Sequence, residues 1–430
     1  MTIAIIGGRI GGITTAIALG RLGYTIHLFE QAKQFSEIGA GVALGPKSIA
    51  LDDHAIVFAD GTFNSSVESL RKMGLFEAYE KVADITEPDA LCLQFTKDDG
   101  QVFGKWFFKA THKGRGSSVH RARLLEALLK LLPDNVTAHF SSHVNVVENI
   151  YPTDGSNLHV RLTIQPPHAE MHPEWPGEQR IFDASIAVGK HVRYTGTYAY
   201  RGLLDITKAV EKNGEGVRVP TMWFGKDKHV LTFLIEGGKI VNLVAFVSDR
   251  SQGPDERTWT GPWVKLVSYQ QMFEDFKGWD QNVINLSQLI EKPEQWALHE
   301  LVPLRRWTVD RITLLGDSAH ASLPHNGAGA GQATEDAYVL ASLLALPSCT
   351  EDTIPHFLQV YEDVRRPRAS GQQIHACESG DVYEFATPMK DNNHALAENL
   401  KVRYDWIWEH DLEEDIDDAK RKLKDMGIEV

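Results

Sequence analysis

Residues 5–20 read IIGGRIGGITTAIALG, and this stretch decides the first layer of the fold. An apolar run enters a turn holding Gly7, Gly8, Gly11 and Gly12, and a run rich in Ala, Ile and Leu leaves it. Residues 3–6 are predicted as a buried strand and 14–22 as a helix. Residues 25–30, TIHLFE, follow as a second strand ending in an acid. The unit is β-α-β within about 30 residues. Its spacing is that of a nucleotide-binding turn, in which bare backbone N–H groups at a helix N-terminus hold a diphosphate. Gly7 allows the tight turn, Gly12 lets helix and strand pack closely, and Glu30 is placed to accept hydrogen bonds from an adenosine ribose. One letter of G-x-G-x-x-G is changed, because Arg9 stands where the second glycine belongs. Two consequences are open. The side chain clashes with a diphosphate or demands a glycine-type φ, or its guanidinium swings out and pairs with a phosphate.

The rest of the composition narrows the function. The chain has 430 residues, 43% hydrophobic and 24% charged, an ordinary balance for a folded protein with room for two or three domains. Its net charge of −14 disfavours nucleic acid as a partner, while leaving a locally positive pocket for a small anion possible. No run of about 18 apolar residues is present, so no membrane span is expected. The start, MTIAII, lacks a basic leader, and the end, GIEV, matches no retention signal; a cytoplasmic location is expected. The three cysteines, Cys92, Cys349 and Cys377, are far apart. That argues against a disulfide framework and against a metal site, and none is expected.

Further along, residues 119–132 (VHRARLLEALLKLL) carry apolar positions at helical spacing. Residues 157–165 and 180–188 alternate as strands, with a Pro-rich surface loop between them. Residues 193–250 are rich in Tyr, Val, Phe and Ile and predict a second, mostly β region. ITLLG (312–316) reads as a buried strand running into a Gly-rich turn and a helix. The chain from about 353 onward reads as polar, charged helices, with HDLEEDIDDAKRKLKD as a solvated face. There is no internal repeat.

The most specific stretch is LLGDSAHASLPHNGAGAGQATEDAYVLASLL, residues 314–344. A strand closes on Gly316-Asp317, a proline follows, and glycines then alternate into a helix. This resembles the G-D motif of the single-component FAD-dependent aromatic-ring hydroxylases, and within them the salicylate hydroxylase-like branch. GAGVALGP, VHRARLLEAL, YTGTYAYRGLL, WALHELVPLRRW and YEDVRRPRA stand in the family's order, so the likeness spans nearly the whole chain. The fold it implies is α/β, a Rossmann-type FAD-binding domain with an inserted mostly-β substrate domain and a C-terminal helical segment. The implied division is 1–80, 116–190 and 297–350 for FAD, 81–115 and 191–296 for the substrate sheet, and 351–430 for the terminal helices.

The resemblance also implies roles. Asp317 binds a ribityl hydroxyl of FAD. The turn from Pro324 through Gly331 lies along the isoalloxazine edge, where the N–H groups of Gly327, Ala328 and Gly329 stabilise negative charge on a reduced flavin. Arg121 contacts the cofactor, with Arg123 as the alternative. NADH or NADPH acts as a transient co-substrate, and O2 and a small aromatic substrate complete the partners of a monomer or homodimer. A C4a-hydroperoxyflavin hydroxylates a salicylate-like phenolic acid. His325, beside the flavin turn, is the candidate catalytic residue, set against a histidine that merely packs. Arg201 and Arg250 are candidate carboxylate partners, set against ordinary surface arginines. Tyr198 and Trp223 are candidate pocket walls, set against sheet core.

Three departures from the family pattern fall on the dinucleotide side. The first is Arg9. The second is a missing D-G segment, because Gly189 runs through Lys190, His191 and Val192 directly into RYTGTYAYRG. The third is an insertion, LDDHAIVFADGTFNSS (51–66), whose Asp60-Gly61 predicts an exposed hairpin. They fit an altered coding sequence, a diverged enzyme, or a catalytically impaired relative that binds FAD or an aromatic ligand without turnover. A flavin-dependent dehydrogenase or oxidase is the remaining reading.

Overall fold

The structure is a computed structural model, and it describes residues 1–35, 56–58, 63–85, 91–107, 117–119, 121–151, 159–165, 180–181 and 192–430. Strand Thr2–Ile6 pairs in parallel with Thr25–Phe29, which pairs in parallel with Val136–His139. Helix Ile10–Arg21 links the first two strands. It is buried almost from end to end, which is why its sequence is Ala, Ile and Leu with little polar face. Its small residues let it sit tightly on helix Gly329–Leu344. A Cβ on Gly11 would lie 3.1 Å from Leu315 Cδ1 and 3.2 Å from Ala333 Cβ. The N-terminal turn of the first helix therefore lies against the chain that leaves Gly316.

The second layer is an eight-stranded sheet. Its order is Val264–Leu266, Glu294–Leu301, Val192–Asp205, Ile240–Ser248, Lys228–Ile235, Thr221–Gly225, Leu91–Lys97 and Val102–Phe107. Both faces are covered, and the two-residue period of a strand assigns each side chain to one of them. On strand Ile240–Ser248, Val241, Leu243, Ala245 and Val247 join one core with Met272 and Phe276. Phe246, between them, joins the opposite core with Leu323 and Ala376. That opposite face is covered by the long helix Ile354–Tyr383.

The structure corrects three readings of the sequence. The insertion is not a free hairpin. Strand Ile56–Phe58 pairs with Ser117–Val119, and helix Phe63–Lys72 begins where the second hairpin strand was expected. Ser65 and Ser66 on that helix are buried, because Glu335 offers them a carboxylate: Ser65 Oγ donates to Glu335 Oε1 at 2.6 Å. Asp60 and Gly61 lie outside the described residues, as do 182–191, where the D-G segment is missing. Within ITLLG only Ile312–Thr313 is strand, a short pairing with Thr308–Val309. The chain after 353 is not mainly solvated. Helix Ile354–Tyr383 buries Glu362, Arg365, Arg368, Gln372 and Gln373, and Leu412–Asp425 buries Leu412, Ile416, Ala419 and Leu423. Arg365 and Arg368 meet Glu335 and Asp336 inside the protein, while Leu412–Asp425 buries its apolar stripe and keeps most of its charges outward; counting polar letters does not reveal the buried pairs. Among residues 157–165 and 180–188, the described strands are His159–Gln165 and Arg180–Ile181. No helix among the described residues is long and apolar enough to cross a membrane.

Candidate active site

The first turn is built around a carboxylate. Gly7 has φ +102°, a backbone region that favours glycine, and its N–H donates to Phe29 O at 2.8 Å. Glu30 accepts from Gly8 N through one oxygen and from Ala32 N through the other, both at 2.8 Å. The acid expected at a ribose thus also braces the glycine turn, with lone pairs left for a further donor. A Cβ on Gly12 would lie 1.9 Å from Gly7 O, so no other residue fits there without moving the turn. Arg9 caps helix Ile10–Arg21 with φ −89° and ψ −176°. This is ordinary extended backbone, so the demand for a glycine-type φ is absent. Arg121 is half-buried on the first turn of helix Arg121–Leu129, and Arg123 pairs with Glu236 at 2.9 Å.

The second turn rests on a buried ionic network. Gly316 has φ +58°, and its N–H donates to Asp336 Oδ2 at 2.8 Å. His320 Nε2 lies 2.7 Å from the same oxygen, and Arg365 Nε donates to Oδ1 at 2.9 Å. Arg365 and Arg368 also hold Glu335, at 3.0 and 2.8 Å. Burial alone would raise both carboxyls. For Asp336, His320 and Arg365 outweigh burial; for Glu335, the two arginines do. Each is held at about 2. The result is a fixed turn that leaves Asp317 exposed, its carboxylate without a hydrogen-bond partner among the described residues. Pro324 opens the next turn, Gly327 adopts φ +62°, and Ala328 caps the helix on which Gly329 and Gly331 stand. A Cβ on Gly329 would meet nothing within 4 Å, whereas one on Gly331 would lie 2.6 Å from Ser66 Oγ.

A cavity of about 220 Å³ opens beside this turn. Strand Val192–Asp205, the end of Ile240–Ser248, the Pro324 turn and the long helix enclose it, through Thr195, Thr197, Ser248, His325, Cys377 and Gly380 among others. His325 is buried, and its Nδ1 has no hydrogen-bond partner among the described residues. Burial first, and then the neighbouring His229 ring, push its imidazole down to about 3, so it is uncharged at neutral pH. The ring packs face-to-edge against His229, Phe246 and Tyr383. Arg250 reaches the cavity wall between Glu384, Asp381 and Asp227, at 2.6, 2.9 and 3.2 Å. Glu384 also takes His229 Nδ1 at 2.7 Å. Burial would raise its carboxyl, but the His229 hydrogen bond and the Arg250 charge hold it at about 2.

The other pocket candidates stand elsewhere. Tyr198 donates to Asp275 at 3.0 Å, and Trp223 donates to Asp280 at 3.0 Å. Both belong to the core on the opposite face of the sheet. Arg201 stacks over Trp296, 5.6 Å from the ring centroid, and does not line the cavity. Sequence reading passed over Asp336, Glu335, Arg365 and Arg368, although the acid pair in QATEDAY and the arginines in VRRPRA lie on helices that proved buried. Nothing in the sequence singles out His229 or Glu384.

The residues present fit FAD. Two glycine turns sit side by side at helix N-termini, where backbone N–H groups take a diphosphate. Space is open at the Cβ positions of Gly7 and Gly329, and the Asp317 carboxylate is unused. Residues 281–373 match the family model described as FAD binding domain. A salicylate hydroxylase of Pseudomonas putida is 35% identical, over 98% of this chain and 95% of the relative. A 6-methylsalicylate 1-monooxygenase of Aspergillus terreus is 29% identical, over 99% and 93%. A solved salicylate hydroxylase substrate complex superimposes with a TM-score of 0.79 at 31% identity, covering 97% of this chain and 98% of that one. FAD is the cofactor that this fold and these relatives share. The chain belongs to the salicylate hydroxylase-like FAD-dependent monooxygenases.

Proposed function

We infer that this chain uses FAD, NAD(P)H and O2 to hydroxylate a salicylate-like phenolic acid. The observation that carries the reading is His325, a buried and uncharged imidazole whose Nδ1 has no partner among the described residues, lining a cavity that adjoins the Pro324–Gly327 turn. The cavity has room for one small aromatic acid rather than an extended ligand. Bound FAD, once reduced by NAD(P)H, would supply the chemistry that activates O2, one atom of which enters the ring while the other leaves as water. The protein's own residues do the rest. Glu30 takes the adenosine ribose, Arg121 steadies the cofactor, and Asp317 takes a ribityl hydroxyl. The N–H groups at Gly327, Ala328 and Gly329 stabilise negative charge at the flavin edge. His325 accepts a hydrogen bond from the phenol and orients the ring, and Arg250, held by three carboxylates, fixes one wall. The division of labour follows the domains expected from the sequence, with residues 1–80, 116–190 and 297–350 holding FAD.

The test is direct. Purified protein mixed with excess FAD is expected to retain a bound-flavin spectrum after desalting. Salicylate is then expected to stimulate NADH or NADPH oxidation, with one atom of 18O2 entering the product. A folded protein that retains no flavin overturns the reading. Retained flavin without aromatic-stimulated oxidation assigns the chain to the impaired relatives, and oxidation without label in the product assigns it to the oxidases.

A further inference from the structure

Three arginines line the cavity, Arg193, Arg250 and Arg257, and their charges are met differently. Arg193 pairs with Glu300 at 2.7 Å and with Asp255 at 3.4 Å. Arg250 is held by three carboxylates. Arg257 has none within ion-pair distance among the described residues. Its Nη1 donates to Thr195 O at 2.6 Å and its Nε to Gln252 O at 3.2 Å. Asp249, close in the chain, feels the Arg257 charge without pairing with it and accepts from Ser251 N at 2.9 Å. A guanidinium has five N–H donors, and these carbonyls take two without neutralising the charge.

The place of Arg257 is built into the sheet. Strand Val192–Asp205 loses register between Tyr194 and Tyr198, and Gly196 sits in that irregularity with φ +82°. A Cβ on Gly196 would lie 2.8 Å from Arg257 Cδ and 2.6 Å from Asp249 O. The bulge and the glycine together let the arginine stem cross the strand and fix its head beside Thr195. A half-buried cation that has Asp249 nearby but forms no ion pair among the described residues is only partly compensated, and an anionic ligand relieves the remaining cost.

We propose that Arg257, rather than Arg250, anchors the carboxylate of the aromatic acid, through the N–H donors not used by Thr195 and Gln252. Arg250 is already neutralised by Glu384, Asp381 and Asp227 and serves as fixed wall. The assignment rests on the function proposed above and names the specificity-determining residue of that site.

Calorimetric titration of the FAD-loaded protein separates the possibilities, with salicylate and phenol as probes against wild type, Arg257→Gln and Arg257→Lys. Arg257→Gln is expected to weaken salicylate by about tenfold or more while leaving phenol within about twofold, and Arg257→Lys to recover part of the loss. Flavin content and circular dichroism equal to wild type establish that the variants fold. Unchanged salicylate binding, or equal losses for both probes, overturns the assignment and leaves the proposed function standing. A raised KM for NADH or NADPH with salicylate binding intact also overturns it, and gives the cation to the dinucleotide. Failure of wild type to bind salicylate at all defeats the proposed function itself, and this assignment with it.

Discussion

Gly12 approaches Gly7 so closely that a Cβ on it would lie 1.9 Å from the Gly7 carbonyl oxygen. Gly12 is fixed in helix Ile10–Arg21 and Gly7 is pinned to the second strand through its N–H to Phe29 O, so neither can rotate away as a side-chain tip would. Gly12→Ala must shift the turn that carries the N–H groups of the diphosphate site. The expected outcome is loss of most bound FAD and a stability loss of about 1–3 kcal/mol. Flavin absorbance after desalting and urea unfolding check this, and full flavin retention contradicts it.

Arg9 is the residue that breaks the glycine pattern, yet it causes no backbone strain. It caps a helix in extended backbone and makes no side-chain capping hydrogen bond. Restoring the family letter with Arg9→Gly relieves no backbone strain, removes the arginine's own contacts and adds freedom to the unfolded chain. Stability is expected to stay level or fall by up to about 1 kcal/mol. A gain above about 1 kcal/mol would reveal strain that this geometry lacks.

Acid should unfold the protein in two separable stages. The His325 pKa is lowered from 6.5 to about 3. Between those values the unfolded chain binds a proton that the folded chain refuses, so stability falls as pH drops. Its full slope is about 1.4 kcal/mol per pH unit. Asp336 is lowered from 3.8 to about 2. Its stabilisation is complete above about pH 4 and disappears as pH falls toward 2. His325→Asn is expected to reduce the slope of the upper window, to which His375 also contributes, and Asp336→Asn that of the lower, which Glu335 and Glu384 share, in urea midpoints measured from pH 7 to pH 2. Superimposed profiles for wild type and His325→Asn would show that this imidazole is not held neutral.

Arg365 is fully buried and reaches Asp336 and Glu335 at 2.9 and 3.0 Å. Arg365→Met keeps the volume and strands two buried carboxylates. The expected loss is about 3–5 kcal/mol, with both carboxyls titrating at higher pH. A variant that is as stable as wild type at pH 7 would mean that Arg368 and His320 suffice.

A Cβ on Gly380 would lie 2.7 Å from His325 Cδ2 and 2.8 Å from its Nε2. Gly380→Ala therefore pushes the imidazole, a movable ring, and leaves both glycine turns alone. Flavin content is expected to stay at the wild-type level while kcat/KM for the aromatic acid falls by about tenfold or more. Flavin loss would show instead that the long helix had moved the Pro324 turn.

Residues near one another in the chain made the nucleotide turns legible. Gly7, Gly12 and Glu30 fall within one β-α-β unit, and Gly316, Asp317 and Gly327 within one strand-turn-helix, so strand period, turn glycine and helix start all show in the letters. The resemblance to the flavin hydroxylases rests on the same local order. Folding decided what distant segments do together. Glu335, Asp336, Arg365 and Arg368 read as surface charge until two helices pack face to face and each becomes the other's counter-ion. His229 and Glu384 meet across 155 positions of chain, and Arg257 reaches the cavity only because strand Val192–Asp205 bulges at Gly196. Pattern reports how a segment folds against its own neighbours. Burial and charge pairing depend on which segment arrives opposite, and only the tertiary structure supplies that.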